Sequence, residues 1–304
     1  MPCWSPNKAF RSAERHERTG KQLLTFNPLK AINSTNPIIL PCNTCIGCRL
    51  DRIETWATRC HHEAKMHEYN SFITLTYSDE HLPEDYSVSK REWQLFMKRL
   101  RKDLNCKVRF FMGAEYGPQT LRPHYHALIF GYAFPDRKYH STGPRGDRLY
   151  SSEQLDRAWP YGERNLIGDV TPQSARYCAG YAMKKISGDR AAAHYTRTHP
   201  RSGLTVQVQP EFQLQSLGLG RDWFDNFKDD AFPSDFLVID GRQVAVPRYY
   251  FNKLREEEKD ALTRVRKQKA AQPNKKWNRS PERLKVRAEV QASRLVKLKR
   301  DGLK

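Results

Sequence analysis

Two strand-like runs, residues 108–116 and 124–130, are separated by a short segment beginning Gly117-Pro118. Apolar, β-branched and aromatic residues fill both runs, and the turn residues between them predict an antiparallel hairpin. A lone hairpin is marginal in water and needs further strands and a cover. The chain offers both. Phe72-Ile73-Thr74-Leu75-Thr76-Tyr77 reads as another strand. A helix over about 49–68 is predicted from Ile53, Trp56, Ala57, Cys60 and Ala64 at three- and four-residue spacing. A second, over 90–104, is capped by Ser89 and carries Trp93, Phe96, Met97, Leu100 and Leu104 on one stripe. A third begins with Thr171 as N-cap and Pro172 at its first position, and Gly188 ends it. Shorter elements are expected at 151–159 (helix) and at 166–170, 204–208 and 236–239 (strands). Residues 1–41 read as irregular, and the Gly-, Pro- and charge-rich segment 133–150 reads as a loop. This order predicts the α+β class, a central antiparallel sheet with flanking helices.

Charge narrows the partner. The 304 residues carry a formal net charge of +19, which points to a polyanion, and nucleic acid is the usual one. The last segment, 251–304, holds 18 Lys/Arg against 7 Asp/Glu and is expected to be a basic helical or disordered tail. The remaining divisions expected are 1–69 (Cys-rich extension and helix), 70–190 (core) and 191–250 (accessory strands and loops). No run of 18 apolar residues and no apolar N-terminal signal segment is found, so a cytoplasmic protein without a membrane partner is expected.

Three groups of residues carry chemistry. Successive side chains of a strand alternate between faces, so His124 and His126 share a face and can reach one metal ion. The hairpin would bring Glu115 beside them. Two imidazoles and a carboxylate with open positions suit Mg²⁺ or Mn²⁺ as a Lewis acid. On the third helix, Tyr177 and Tyr181 lie one turn apart with Lys184 on the same arc, while Ala175, Cys178, Ala182 and Ile186 form an apolar stripe expected to point away from them. A phenol near pKa 10 is a weak nucleophile, and a neighbouring ammonium favours its phenolate. The third group is Cys42-x-x-Cys45-x-x-Cys48, whose spacing in a reducing compartment favours structural Zn²⁺ over disulfides. A tetrahedral site needs a fourth ligand; Cys3 is the first choice, with Cys60 and His61 as alternatives.

Together these residues resemble a known family. Phe72–Tyr77, then Arg122-Pro123-His124-Tyr125-His126-Ala127-Leu128, then Tyr177-x-x-x-Tyr181-x-x-Lys184 are similar to the three motifs of rolling-circle replication initiators, the HUH endonucleases. Tyr125 stands where that family usually has a bulky apolar residue. Pro41-Cys42-Asn43-Thr44-Cys45-Ile46-Gly47-Cys48-Arg49, with the helix and strand that follow, further resembles the replication initiation proteins of gokushovirus-type microviruses. The likeness covers roughly residues 1–190. It implies an RNA-recognition-type sheet, metal held by His124, His126 and Glu115, nucleophiles Tyr177 and Tyr181, and a role for Lys184. It implies origin nicking with a 5′-phosphotyrosine link and a free 3′-OH, then rejoining. The implied partners are single-stranded and origin duplex DNA with a host helicase and polymerase, in the cytoplasm of a bacterial host. Two rival readings are a zinc-containing nucleic-acid-binding protein without chemistry, and a plasmid initiator or relaxase with the same chemistry. Tyr116, Arg122 and Arg176 are expected DNA contacts.

Overall fold

The computed structural model describes residues 3–104, 106–144, 146–181, 185–186, 188–199 and 202–300. In chain order the elements are β1 (Asn7–Arg15), β2 (Gln22–Thr25), β3 (Ile38–Leu40), α1 (Ile46–Lys65), β4 (Asn70–Leu75), α2 (Lys90–Lys102), β5 (Arg109–Tyr116), β6 (Pro123–Phe130), β7 (Lys138–Thr142), β8 (Arg148–Ser151), α3 (Glu153–Ala158), β9 (Leu166–Gly168) and α4 (Pro172–Tyr181). They continue as α5 (Arg190–Tyr195), β10 (Thr196–Thr198), β11 (Thr205–Gln207), β12 (Phe212–Gln215), α6 (Arg221–Phe227), β13 (Phe236–Ile239), β14 (Arg242–Ala245), α7 (Arg248–Phe251), α8 (Glu256–Ala271), α9 (Pro273–Trp277) and α10 (Pro281–Arg300). Among the described residues no helix is long and apolar enough to cross a membrane.

The chain divides into two compact units, one of Met1–Arg52 with Arg255–Lys304 and one of Ile53–Leu254. The first contains a three-stranded antiparallel sheet in the order β2-β1-β3, the start of α1, and the helices α8, α9 and α10. Residues 1–41 are therefore not irregular throughout. Ala9 and Phe10 are the buried apolar pair of β1, which pairs with β3 over Asn7–Ala9 and with β2 from Phe10 onward despite the scarcity of other apolar residues. Most of the described part of the tail is helical, in α8, α9 and α10.

The second unit is built on a seven-stranded sheet in the order β12-β5-β6-β4-β9-β8-β7, antiparallel at every pairing. One face carries Ile73, Leu75, Met112, Tyr125, Ala127 and Ile129, which form a core cluster with Trp93, Phe96, Met97 and Leu100 of α2 and with Trp159 after α3. The other face carries Phe111, Leu128 and Phe130, packed with Ala57 and Cys60 of α1 and with Ala175, Cys178 and Ala179 of α4. The period-2 alternation then fixes the site. Glu115, in step with Phe111, and His124 and His126, in step with Leu128, lie on the α4 face, whereas Tyr125 lies on the α2 face. A one-residue slip of β6 would exchange them.

The segment 133–150 is not a loop throughout. It forms the β7–β8 hairpin, with Tyr139 opposite Tyr150, and β8 continues the sheet through Tyr150 and Ile167. Its turn closes by Gly143 N–H donating to Asp147 O at 2.8 Å. Four of the five residues of β7 are exposed, so an edge strand here shows no apolar alternation to read. The third predicted helix starts as expected at Thr171, whose Oγ1 accepts from Ser174 N–H at 3.0 Å, and Pro172. It is described as far as Tyr181. Lys184 lies outside the described residues, and Lys185 and Ile186 are not helical.

Candidate active site

The β5–β6 hairpin sets Glu115 directly opposite His124. His124 Nε2 lies 2.8 Å from Glu115 Oε1, and His126 Nε2 lies 3.7 Å from the same oxygen. One donor atom from each of the three residues lies within 4.8 Å of the others. The ring orientations are held from behind. His124 Nδ1 donates to Arg122 O at 3.1 Å, since a carbonyl oxygen can only accept. With Nδ1 so engaged, Nε2 faces the Glu115 carboxylate, and a proton or a cation belongs between them. His126 Nδ1 meets Thr74 Oγ1 at 3.0 Å, across the register in which Thr74 pairs with His126. Glu115 and His126 are both buried, at 2% and 5% exposure. Two aimed imidazoles and a buried carboxylate fit a hard divalent cation with positions left open.

Helix α4 lays both tyrosines against this cluster. The Tyr181 ring stacks on the His126 ring at 4.5 Å and 10°. Tyr177 meets His126 edge-on at 5.2 Å, and the two tyrosine rings are 4.5 Å apart. The expected orientation of the pair needs correction, because Tyr181 is not turned away from the apolar stripe. It is 5% exposed, against 47% for Tyr177. At about 100° per residue Tyr181 falls roughly 60° from Cys178, inside the arc that meets the sheet, and Tyr177 sits at its margin. Burial pushes the Tyr181 phenol up from its ordinary pKa, and the Glu115 carboxylate and the Tyr177 phenol add to that.

Gly113 on β5 makes this approach possible. A Cβ there would lie 3.1 Å from Tyr181 Cβ and 3.3 Å from Cys178 O. Gly113 and Thr74 are the positions that sequence reasoning did not single out. An isolated glycine in a strand is a signal of close backbone approach, so Gly113 was open to discovery; Thr74 needed the strand register. Of the three expected DNA contacts, Tyr116 is buried and donates to Gln209 O at 2.6 Å. Arg176 is paired with Glu54 at 3.0 Å, and Arg122 with Asp79 and Tyr77 O.

Tyr125, the departure from the family pattern, is fully buried on the opposite face. Its phenol accepts from Ser89 N–H at 2.8 Å, donates to Ser89 O at 3.1 Å and lies 3.1 Å from the Tyr77 phenol. A polar group at that core position is tolerated because it is fully hydrogen-bonded.

In the other unit, the Sγ atoms of Cys3, Cys42, Cys45 and Cys48 all lie within 4.8 Å of one another. Cys3–Cys42 is 3.7 Å, and Cys42–Cys48 and Cys45–Cys3 are 4.0 Å each. A tetrahedron with Zn–S bonds of about 2.3 Å has edges of about 3.8 Å. The fourth candidate ligand is thus Cys3, whereas Cys60 is buried in the α1–α4 core. Burial opposes ionisation of Cys42, but the N–H groups of Cys45 and Thr44 outweigh it and bring the thiol down to about 6. The donor set fits zinc.

Comparison with known proteins identifies the family. A family model described as replication-associated protein ORF2/G2P matches residues 70–186. Replication-associated protein VP4 of Bdellovibrio phage phiMH2K is 32% identical over 260 residues, which is 82% of this chain and 76% of that protein. The chain belongs to this family of phage replication-associated proteins. Two further members are replication-associated protein ORF2 of Spiroplasma virus 4, 30% identical over 73% of this chain and 69% of its own length, and ORF4 of Chlamydia phage 1, 27% identical over 71% and 53%. No solved structure matches. The family match begins at β4 and runs just past α4, so it encloses Glu115, His124, His126, Tyr177 and Tyr181.

Proposed function

We propose that this replication-associated protein starts rolling-circle replication by nicking single-stranded DNA at an origin and later rejoining it. The observation that carries the reading is the contact of both tyrosine rings with His126, inside a cluster that also holds Glu115 and His124. The antiparallel sheet flanked by helices supports an RNA-recognition-type HUH fold. Glu115, His124 and His126 would hold Mg²⁺ or Mn²⁺, which when bound polarises the scissile phosphate as a Lewis acid.

The half-exposed Tyr177 is open to a bulky strand and takes the first phosphate. Its phenolic oxygen attacks phosphorus, the P–O3′ bond breaks, and the proton lost by the phenol ends on the leaving 3′ oxygen. One phosphoester replaces another, so the reaction needs no nucleotide cofactor and leaves a 3′-OH primer for a host polymerase. Tyr181, stacked on His126, serves the second cut. The new 3′-OH then attacks the phosphotyrosine to close the circle. Thr74 and the Arg122 carbonyl keep the imidazoles aimed throughout. Lys184 is assigned to stabilising phenolate. Cys3, Cys42, Cys45 and Cys48 would hold a structural Zn²⁺. Origin duplex and a host helicase in the bacterial cytoplasm complete the setting.

The test incubates the protein with Mn²⁺ and a labelled single-stranded origin oligonucleotide, then separates products on a denaturing gel. A protein-linked band is expected, mapping to Tyr177 by peptide mass. Tyr177→Phe should lower its formation by about 10²-fold or more, and the Tyr177→Phe/Tyr181→Phe double variant should bind DNA without any adduct. Absence of the band with the unaltered protein would sink the reading.

A further inference from the structure

On the α2 face of the core sheet lies a cavity of about 670 Å³ that the nicking reaction does not use. Its walls include the rings of Tyr77, His81 and Tyr161, with Lys90 and Glu92 from the first turn of α2. Tyr77 and Tyr161 lie near-parallel, 27° apart with centroids at 6.2 Å, and His81 stands 6.0 Å from Tyr161. The volume falls within the usual range for small-molecule sites.

One group in it is out of place. Ser89 caps α2, its Oγ accepting from Glu92 N–H at 3.3 Å. In a capping box the carboxylate three residues on would accept from the cap's own N–H. Here that N–H is taken by the Tyr125 phenol. Glu92 Oε2 is consequently buried with no hydrogen-bond partner among the described residues. A buried carboxylate oxygen without a donor is costly and calls for an explanation, and a bound donor would supply one.

The cavity also shares an end of the sheet with the triad. Arg122 donates to Tyr77 O at 2.7 Å on the cavity side, while its own carbonyl accepts from His124 on the other. A strand threaded past the triad can therefore turn one base over the sheet's end.

We propose that this cavity reads a guanine of the single-stranded DNA, stacked against the tyrosine wall and held through its Watson–Crick edge by Glu92. Guanine alone presents two adjacent donors there, N1–H and the N2 amine, and so matches a carboxylate. Adenine, cytosine and thymine each set an acceptor beside the donor, which a carboxylate repels. Lys90 supplies a cation for the phosphate. The role in origin choice rests on the nicking reading, but the binding itself needs neither tyrosine nor metal.

The experiment uses the full-length Tyr177→Phe/Tyr181→Phe chain without divalent cations and measures dGMP, dIMP, dAMP, dCMP and dTMP by saturation-transfer NMR and calorimetry. dGMP should bind about tenfold more tightly than dAMP, dCMP or dTMP, and dIMP, lacking the N2 amine, should fall between. Glu92→Gln should erase the dGMP advantage and leave dAMP unchanged. Equal affinities for all five, or an unchanged dGMP preference in Glu92→Gln, overturns the proposal. If that variant misfolds, the dGMP–dIMP contrast on the parent chain decides alone. None of these outcomes bears on adduct formation, so the two readings fail separately.

Discussion

The unit of Met1–Arg52 and Arg255–Lys304 contains 25 Lys/Arg against 10 Asp/Glu, whereas Ile53–Leu254, about twice as long, contains 28 against 24. So +15 of the net +19 belongs to the unit that holds the four cysteines, and the unit that holds the triad and the tyrosines is close to charge balance. Several cations of the second unit are already engaged: Arg176 with Glu54, Arg122 with Asp79, and Arg109 with the buried Glu63 at 2.9 Å. A balanced unit grips phosphate through a few aimed groups. A strongly basic one attracts a polyanion over about a Debye length and at no particular sequence. Under the proposed function, the difference would put chemistry in one unit and general DNA affinity in the other.

The most forceful way to break this comparison is to remove the cysteine cluster. Structural zinc contributes roughly 10–16 kcal/mol to the folding of a small module. We expect one zinc per chain by mass spectrometry of the metal. Cys42→Ser with Cys45→Ser should remove it and open residues 3–52 to protease. Adduct formation on a single-stranded oligonucleotide should persist in the variant, because the cysteines and the triad belong to separate compact units and sites that share no partners act nearly independently. Loss of the adduct would show that the chemistry depends on the basic unit.

Salt dependence sharpens the same contrast. Each phosphate contact adds about 0.9 to the slope of log K against log salt on a duplex. Replacing the exposed Arg264, Lys267 and Lys269 of α8 by Gln should lower that slope and weaken duplex binding severalfold at low salt, read by fluorescence anisotropy. The matched change of Arg137, Lys138 and Arg148 on the exposed β7–β8 edge should do little. Equal losses from the two sets would mean that charge segregation has no consequence for binding.

Gly113→Ala acts within the balanced unit alone. The new Cβ meets Tyr181 Cβ and the Cys178 carbonyl, neither of which is the end of a flexible side chain. Overpacking of this kind costs about 1–3 kcal/mol. Thermal unfolding should report that loss, the second cut and rejoining should fall as Tyr181 leaves the His126 ring, and duplex affinity should hold.

What the sequence disclosed follows from how local each signal is. The hairpin that joins Glu115 to His124 and His126 is written in two alternating runs and one turn, and α2 in a single apolar stripe with its Ser89 cap. Cys3 is separated from Cys42 by 39 positions, so its place among the cysteines depended on long-range closure that spacing does not encode. Thr74 behind His126 is a cross-strand pair, visible only once β4 and β6 are in register. The burial of Tyr181 was missed because the apolar stripe of α4 was read from its aliphatic residues, whereas the buried arc extends over an aromatic one where Gly113 leaves room.

The smallest expected effect is a pH response confined to the balanced unit. His62 is buried, stacked on Trp223 at 3.5 Å and 18°, with Nδ1 2.9 Å from the Tyr250 phenol. Burial, helped by the charges of His61 and Lys65, brings it down to about 3, while in an unfolded chain it titrates near 6.5. Above about pH 6.5 the ring is neutral in both states and stability is complete. Below that, the unfolded chain takes up a proton that the folded one refuses, so stability falls with pH until about 3. The slope approaches 1.4 kcal/mol per pH unit, which amounts to about 1 kcal/mol between roughly pH 6.5 and 5.5. Calorimetry of the zinc-saturated protein should show the transition of Ile53–Leu254 moving over this window, and His62→Gln should flatten its share of the slope. An unchanged slope in that variant would place the titrating group elsewhere, and a matching shift in the other unit's transition would mean the two do not unfold independently.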